Sequence, residues 1–164
     1  IDLGRKEHSE YITMKNADPF NGGNYATIAS DVINDRSKRI GDGAYLTTKF
    51  GPVNFAYDRS MYTAVTTAEA NSWSLSGKLG PVTTAVARFG VGNDHTTLVT
   101  ISGKIAGLEL STIQSEDKTG TVETKGQLYG VTAHPNVLKN IRLGCLIYRN
   151  KTLKYYYTFF VVNI

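Results

Sequence analysis

The chain has 164 residues, of which 41% are hydrophobic, with 10 Tyr, 16 Gly and a formal net charge of +4. Strand-forming Tyr, Thr, Val and Phe dominate, and no window has the apolar period of a helix longer than two turns, which excludes a largely helical protein. The single Cys excludes an internal disulfide, and no apolar run reaches the ~18 residues of a membrane-spanning helix. Apart from Arg36-Ser37-Lys38-Arg39, Lys and Arg are scattered singly, which argues against nucleic-acid binding.

The first feature in chain order is a long interval, 7–38, in which no strand is predicted. It has a Pro-Phe-Asn-Gly-Gly turn at its middle, and a short helical turn is predicted near 25–34. An interval of this length is uncommon in a compact domain and favours a functional loop. Cations flank it on both sides, in a predicted strand at 1–6 and from Lys38 onward. Acidic residues lie within it: Glu7, Glu10, Asp18, Asp31 and Asp35. The pattern predicts an acidic loop held against a basic wall.

After this interval the chain repeats one unit, a strand, a turn of two or three residues and a second strand. The short turns are predicted at 51–52, 80–81, 106–107 and 134–136. With 1–6 the predicted strands number about ten, the others being 45–50, 53–58, 72–79, 82–89, 97–105, 108–116, 127–133, 138–148 and 153–162. The alternate connections are mostly longer and polar. Short turns at one end and longer loops at the other are typical of an up-and-down outer-membrane barrel.

Apolar and polar residues alternate within these strands. In 53–58 the odd-numbered residues are apolar and the even-numbered ones are polar or small, and 72–79 and 97–105 alternate similarly. A soluble sandwich also alternates, with its apolar side inward. Small polar residues with isolated charges on one side favour a water-filled lumen, and Tyr and Trp near strand ends favour an interfacial girdle. The strand 82–89 departs from the pattern at Arg88, which a bulge or an interfacial position would explain.

Several short segments carry a resemblance to one family. They are Leu3-Gly4-Arg5, Asp18-Pro19-Phe20-Asn21-Gly22-Gly23, Asp35-Arg36-Ser37-Lys38-Arg39, Phe50-Gly51-Pro52-Val53 and Leu79-Gly80-Pro81-Val82. In this order and spacing the chain resembles a general porin of Gram-negative bacteria over nearly its whole length. The resemblance implies an all-β fold, an antiparallel up-and-down transmembrane barrel of sixteen strands in the family. Its third external loop folds into the lumen, and 7–38 corresponds to that constriction loop. With about ten strands, 1–164 would be a single partial barrel domain that lacks strands at both ends.

The same resemblance implies a function. The protein would be an outer-membrane channel for passive diffusion of small hydrophilic solutes and ions, a homotrimer in contact with outer-membrane lipid and lipopolysaccharide. Fixed charges at the narrowest section would bias which ions pass. The constriction candidates are Arg5, Lys38, Arg39, Asp18, Asp31 and Asp35. The pore-lining candidates are Lys78, Lys104 and Arg142. Together these charges predict a mild preference for anions.

Other functions have less support in the residues. The three histidines are far apart, and no Cys or carboxylate stands at a metal-ligand spacing, so we expect neither a metal nor a cofactor. No Gly-x-Ser-x-Gly segment is present, and we do not expect an enzyme. Isolated arginines such as Arg5 and Arg39 also fit a solvated surface, and Asp18 before Pro19 also fits the start of a turn. The alternative is a soluble β-sandwich or jelly-roll binding module of the capsid, tail-fibre or lectin kind.

Overall fold

The computed structural model describes residues 1–18, 39–62, 69–133, 141–150 and 154–162. In these ranges ten strands form one antiparallel sheet in which every strand pairs with its neighbours in chain order. The strands are β1 (Asp2–Glu7), β2 (Arg39–Phe50), β3 (Val53–Tyr62), β4 (Ala70–Leu79), β5 (Val82–Val91), β6 (Asp94–Ile105), β7 (Leu108–Thr119), β8 (Val122–Ala133), β9 (Ile141–Asn150) and β10 (Lys154–Val162). One helix, α1 (Ser9–Ala17), follows β1. The predicted all-β, up-and-down arrangement is confirmed at this level.

Two-residue turns join three of the hairpins at one end of the sheet, which we call the turn end. Gly51 and Gly80, with φ of 58° and 60°, occupy the first turn position and precede a proline. Glycine at this position is typical of the turns whose twist matches that of paired strands. The third turn places both Ala106 (φ 51°) and Gly107 (φ 78°) in the left-handed region. These turns lie where the sequence predicts them.

The opposite end of the sheet, the loop end, differs from the prediction. Longer connections are expected after β5 and after β7, but the chain turns there through two residues each, 92–93 and 120–121. Polar side chains near these turns form hydrogen bonds from one of these hairpins to the other. The Gly120 N–H donates to Asp94 Oδ1 at 2.8 Å, and the Thr96 hydroxyl donates to Asp117 Oδ1 at 2.7 Å. The loop prediction is therefore wrong at both places, because a short polar segment can form a tight hairpin turn as well as an irregular loop.

The sheet is not closed into a barrel within the described ranges. β1 and β10 are its two edges, and neither pairs with the other. No helix in the described part of the chain has the length and hydropathy needed to cross a membrane.

The two faces of the sheet differ in composition and burial. One carries buried Asp58 and Ser72, and α1 lies on it against β3 to β7. We call this the covered face; its largest fully buried apolar side chains are Leu98, Ile113 and Leu128. The opposite face we call the bare face. Exposed apolar residues of the bare face include Leu46, Phe50, Leu75, Leu79, Val99, Ile101, Ile105, Leu110 and Val131. The interior of the molecule thus lies on the side that alternation marks as polar.

Candidate functional site

The N-terminus of α1 is bonded to side chains of the covered face. The Ser9 N–H donates to Asp58 Oδ1 at 2.8 Å, and the Glu10 N–H donates to Ser72 Oγ at 2.9 Å. The hydroxyl oxygens of Ser9 and Ser72 are 2.8 Å apart. The first N–H groups of a helix have no partner inside it, and the positive end of the helix dipole favours a carboxylate. β3 and β4 therefore supply both the acceptors and the charge that hold α1 on the sheet.

His8 precedes the helix as its N-cap residue. Its Nδ1 accepts the Tyr11 N–H at 3.1 Å, and its ring stacks on Phe89 of β5 with centroids 4.4 Å apart. Glu10 Oε2 lies 3.4 Å from the same His8 nitrogen, and both side chains are buried. The sequence does not indicate this cluster, because histidine is not a preferred N-cap residue.

The helix lies inside the interval 7–38, where the sequence predicts no helix before residue 25. Its buried residues are Ser9, Glu10, Thr13, Met14 and Ala17, which recur at helical spacing. This stripe is mostly polar or small, so it has no apolar period to recognise. Small residues such as Ser72, Ser74 and Ala87 face α1's side of the sheet and leave room for it. The predicted helical turn at 25–34 lies outside the described residues.

The basic flank of the interval begins in an irregular part of β1. The register between β1 and β2 shifts between Gly4 and Lys6, so the predicted constriction residue Arg5 is at the bulge. The Tyr45 hydroxyl accepts the Lys6 N–H at 3.0 Å and lies 3.2 Å from the Lys6 carbonyl oxygen, to which it donates. A side chain at Gly43 would come within 3.2 Å of this hydroxyl. The bulge is therefore held by a buried tyrosine that the sequence analysis did not single out.

The structure describes only some of the predicted constriction residues. Arg39 is the first residue of β2 and pairs with Glu7; of Arg39 and Arg5 only the backbone is described. Asp18 is buried and ends α1, its N–H donating to the Met14 carbonyl at 3.0 Å. Three further members lie outside the described ranges: Asp31, Asp35 and Lys38. The selectivity roles of all six residues stay predictions.

The predicted pore-lining lysines lie near the turn end. Lys78 of β4 has the parity of Ser72 and is exposed. Lys104 of β6 is exposed as well, and its Nζ lies 3.7 Å from Glu109 Oε2. Arg142 belongs to β9, opposite Val161, with only its backbone described. Among the described side chains, no three His, Cys, Asp or Glu groups converge where a metal ion could be held.

The bare face has an apolar band whose polar boundary crosses the strands obliquely. On β4 the band ends at Trp73 and Asn71 follows; on β8 it ends at Tyr129 and Gln127 follows. Following the strand register from β8 through β7, β6 and β5 places Tyr129 level with Gly77 of β4. Gly77 is four residues from Trp73. The boundary therefore moves about one residue per strand. With a rise of about 3.3 Å and strands about 4.8 Å apart, this corresponds to a tilt of about 35°.

Charged residues line this boundary on its polar side. Arg59 pairs with Glu69 at 2.6 Å, and Lys125 pairs with Glu116 at 3.1 Å, all of them well exposed. Arg88 lies directly opposite Trp73, with unbroken register to both neighbouring strands. A bulge therefore does not explain why Arg88 shares the face of the apolar residues. Arg88 lies where the apolar band ends.

No protein-family model matches the chain, and the search for similar curated proteins found no match. The resemblance to general porins therefore rests on the segments quoted above.

Proposed function

We propose that the sheet is part of the wall of an outer-membrane porin, a water-filled channel for passive diffusion of small hydrophilic solutes and ions. One observation carries the proposal: the bare face presents an apolar band with an oblique polar boundary, while α1 lies on the opposite, polar face. A tilt of about 35° falls within the range of transmembrane barrel strands. In a constricted barrel the apolar face likewise meets lipid, the polar face lines the lumen, and one segment folds inward onto the polar face.

The bare face supports contact with lipid. Its apolar residues remain exposed although they form a continuous band, with Leu75, Val99 and Ile101 each more than two-fifths exposed. Monomeric soluble proteins rarely expose contiguous apolar patches beyond a few hundred Å². Hydrocarbon around the band would remove this surface from water, and the charged residues beyond the boundary would remain hydrated.

The covered face supports a narrowed lumen. α1 lies on the small side chains of β3 to β7 and so reduces the space enclosed by that face. Toward the turn end the face continues with Lys78 and Lys104, both exposed. Fixed cations along a water-filled path raise the local concentration of anions. A weak anion preference follows, with Arg5 and Arg39 as further contributors.

The soluble-sandwich alternative has less support. A sandwich needs two facing sheets with the apolar sides between them. The described strands form a single sheet, and the helix lies on the polar side. In lipid, the backbone groups at both edges of the sheet must also be hydrogen-bonded, because no water is available there. The proposal therefore includes further strands that pair with the outer edges of β1 and β10.

The fluorescence of Trp73 tests contact between the bare face and lipid. This residue is the only Trp of the chain and lies on the bare face beside the boundary. In proteoliposomes, phospholipids with brominated acyl chains should quench it strongly, and aqueous iodide should quench it weakly. A matched control is the double variant Trp73→Phe, Thr47→Trp, which moves the fluorophore to exposed Thr47 of β2, on the covered-face parity. In this variant, iodide should quench the fluorescence strongly and brominated phospholipids should quench it weakly. Iodide quenching of Trp73 without bromolipid quenching would refute the proposed wall.

Planar-bilayer recordings test conduction and selectivity. Stepwise conductance is expected, with reversal potentials in a salt gradient that indicate a weak anion preference. Arg5→Ala combined with Arg39→Ala should abolish that preference because both cations flank the inward segment. The recordings use the protein with the further strands that pair with β1 and β10. In that protein, a strong cation preference that persists in the double variant would contradict the charge assignment, and absence of conductance would contradict the channel itself.

A further inference from the structure

Three lysines stand on the covered face at the turn end of the sheet. Lys49, Lys78 and Lys104 are each the second-last residue of a strand, in β2, β4 and β6. The strand register places all three on the face that carries Ser72 and α1. All three are exposed. We call Lys49, Lys78 and Lys104 the lysine arc.

The lysine arc runs parallel to the boundary of the apolar band on the other face. Following the register from β2 to β4 places Lys49 level with Ser76, two residues before Lys78. Following it from β4 to β6 places Lys78 level with Ser102, two residues before Lys104. The arc thus moves one residue per strand toward the turn end, as the band boundary does between β4 and β8. In a barrel wall with a level apolar band, the three lysines therefore lie at one height.

The lysine arc has an excess of positive charge. Among the described residues, a single acid pairs with an arc member: Glu109 Oε2 lies 3.7 Å from Lys104 Nζ. The residues opposite the other two lysines across their hairpins are Asn54 and Thr83. Both are uncharged and exposed. The turn end of the covered face is therefore cationic.

The arc is separate from the place where α1 is anchored. The Glu10 N–H donates to Ser72 Oγ, and Lys78 lies six residues further along β4, a distance of about 20 Å. The acidic side chain of Asp58 is likewise bonded at the helix N-terminus. The arc is therefore a second group of charges on the covered face, apart from those around the inward segment.

The spacing of the arc suits an anion whose charges are spread along a chain. Successive members are two strands and two residues apart, about 12 Å between Cα atoms. A lysine side chain has five bonds and reaches about 6 Å from its Cα, so neighbouring ammonium groups can contact one extended anion. The electrostatic screening length is about 10 Å at 0.1 M salt. A small anion therefore interacts mainly with the nearest one or two lysines.

We propose that the lysine arc binds linear oligophosphates at the turn-end mouth of the channel. Each ammonium group is a compact charge with three donors, which binds phosphate oxygens. Every phosphate of an oligophosphate is charged, so the chain contacts two or three arc members at once. Rings of lysine or arginine select anions and phosphates in pores. This inference rests on the proposed function, because the covered face must enclose a water-filled lumen.

Planar-bilayer recordings of the protein with the further strands that pair with β1 and β10 test the arc. The probes are inorganic triphosphate and orthophosphate, each titrated into divalent-free potassium chloride. Triphosphate should reduce the chloride current at concentrations about tenfold lower than orthophosphate does, because it neutralises more of the arc. The triple variant Lys49→Gln, Lys78→Gln, Lys104→Gln should still conduct and should weaken the triphosphate effect about tenfold. Glu109→Gln should strengthen that effect about threefold, because it removes the acid that competes for Lys104.

The matched control removes three cations from the bare face: Arg59→Gln, Arg88→Gln and Lys125→Gln. These residues lie on the polar side of the apolar band and on the face away from the arc. Triphosphate should act on this variant as it does on the wild type. An equal triphosphate effect in the wild type and the lysine variant would overturn the arc, as would equal potency of the two phosphates or a weaker effect in Glu109→Gln. A loss in the bare-face variant equal to that in the lysine variant would also overturn it.

The conductance itself separates failure of the arc from failure of the proposed function. Stepwise chloride conductance that triphosphate leaves unchanged would show a channel without an oligophosphate site. Absence of conductance in the wild type would overturn the channel and the arc together.

Discussion

At the scale of single residues, two side chains of the sheet complete the hydrogen bonding of the first turn of α1. Asp58 and Ser72 are 1% and 0% exposed, and each accepts one backbone N–H of the helix. Among the described residues, the second carboxylate oxygen of Asp58 has no hydrogen-bond partner. Burial raises the pKa of Asp58 to about 6, and hydrogen bonds from the side chain and the backbone of Ser9 oppose this rise.

Ser72→Ala should destabilise the protein. The substitution removes the acceptor of the Glu10 N–H and the partner of the Ser9 hydroxyl, both buried, at a cost of about 1–3 kcal/mol in the free energy of unfolding. Urea unfolding in detergent measures the loss. Ser76→Ala is the control, since Ser76 lies on the same strand and face but makes no hydrogen bond to α1; its change should stay within about 0.5 kcal/mol. Equal losses would show that the hydrogen bonds contribute nothing specific.

Substitutions of Asp58 should separate hydrogen bonding from charge. Asp58→Asn keeps an oxygen that can accept the Ser9 N–H but removes a carboxylate whose pKa burial raises to about 6. The desolvation cost of the charge offsets its attraction to the helix terminus, so this substitution should change the free energy of unfolding by less than about 1 kcal/mol. Asp58→Ala also removes the acceptor and should cost about 1–3 kcal/mol. Urea unfolding with hydrogen exchange at the Ser9 amide measures both. Equal effects of the two substitutions would show that charge alone holds the terminus.

At the scale of elements, α1 depends on the sheet for its existence. Its 9 residues are fewer than the roughly 12–15 at which isolated helices become even marginally stable in water. Its buried stripe is polar and small, so hydrogen bonds and close approach to the sheet stabilise it more than apolar burial does. The N-terminus is consequently the part of the helix most firmly attached.

A disulfide between α1 and β4 tests how closely the helix is held on the sheet. The Ser9 and Ser72 hydroxyl oxygens are 2.8 Å apart, and the S–S bond of a disulfide is about 2 Å long. Ser9→Cys with Ser72→Cys should therefore oxidise readily in a Cys145→Ser background, as measured by gel mobility. Ser9→Cys with Ser76→Cys should not crosslink.

The same crosslink tests whether α1 stays docked in the proposed channel. Conductance should be equal before and after reduction, because the docked position is the conducting one. A change on reduction would show that the helix leaves the sheet during conduction.

At the scale of the whole molecule, the apolar residues of the bare face form a band whose direction can be seen only when several strands are compared. The boundary of the bare-face band shifts by about one residue per strand, so the band is inclined to the strands. A band of constant height around a tilted set of strands produces this shift. Every interpretation of the bare face as a lipid surface depends on it.

Arginine substitutions on β6 should lower stability more inside this band than at its boundary. Ile101→Arg places a charge inside the band and should lower stability in bilayers by about 2–4 kcal/mol. Thr97→Arg, four residues away on the same face, lies opposite Arg88 at the boundary and should cost about 0–1 kcal/mol. Unfolding titrations in lipid vesicles measure both. A penalty at Thr97 as large as that at Ile101 would contradict the position of the boundary.

Local signals determined much of this structure. The turn glycines and the strict alternation in β3, β4 and β6 predicted three hairpins, the strand positions and the division into two faces, because turn conformation and side-chain parity depend on adjacent residues. They did not predict α1, whose polar stripe and histidine cap lack the usual signals, nor the tight turns at the loop end. Only the tertiary structure decided that α1 lies on the polar face and that the apolar band is oblique. Both depend on the register between strands and on contacts such as Ser9 with Ser72, which join residues far apart in the chain.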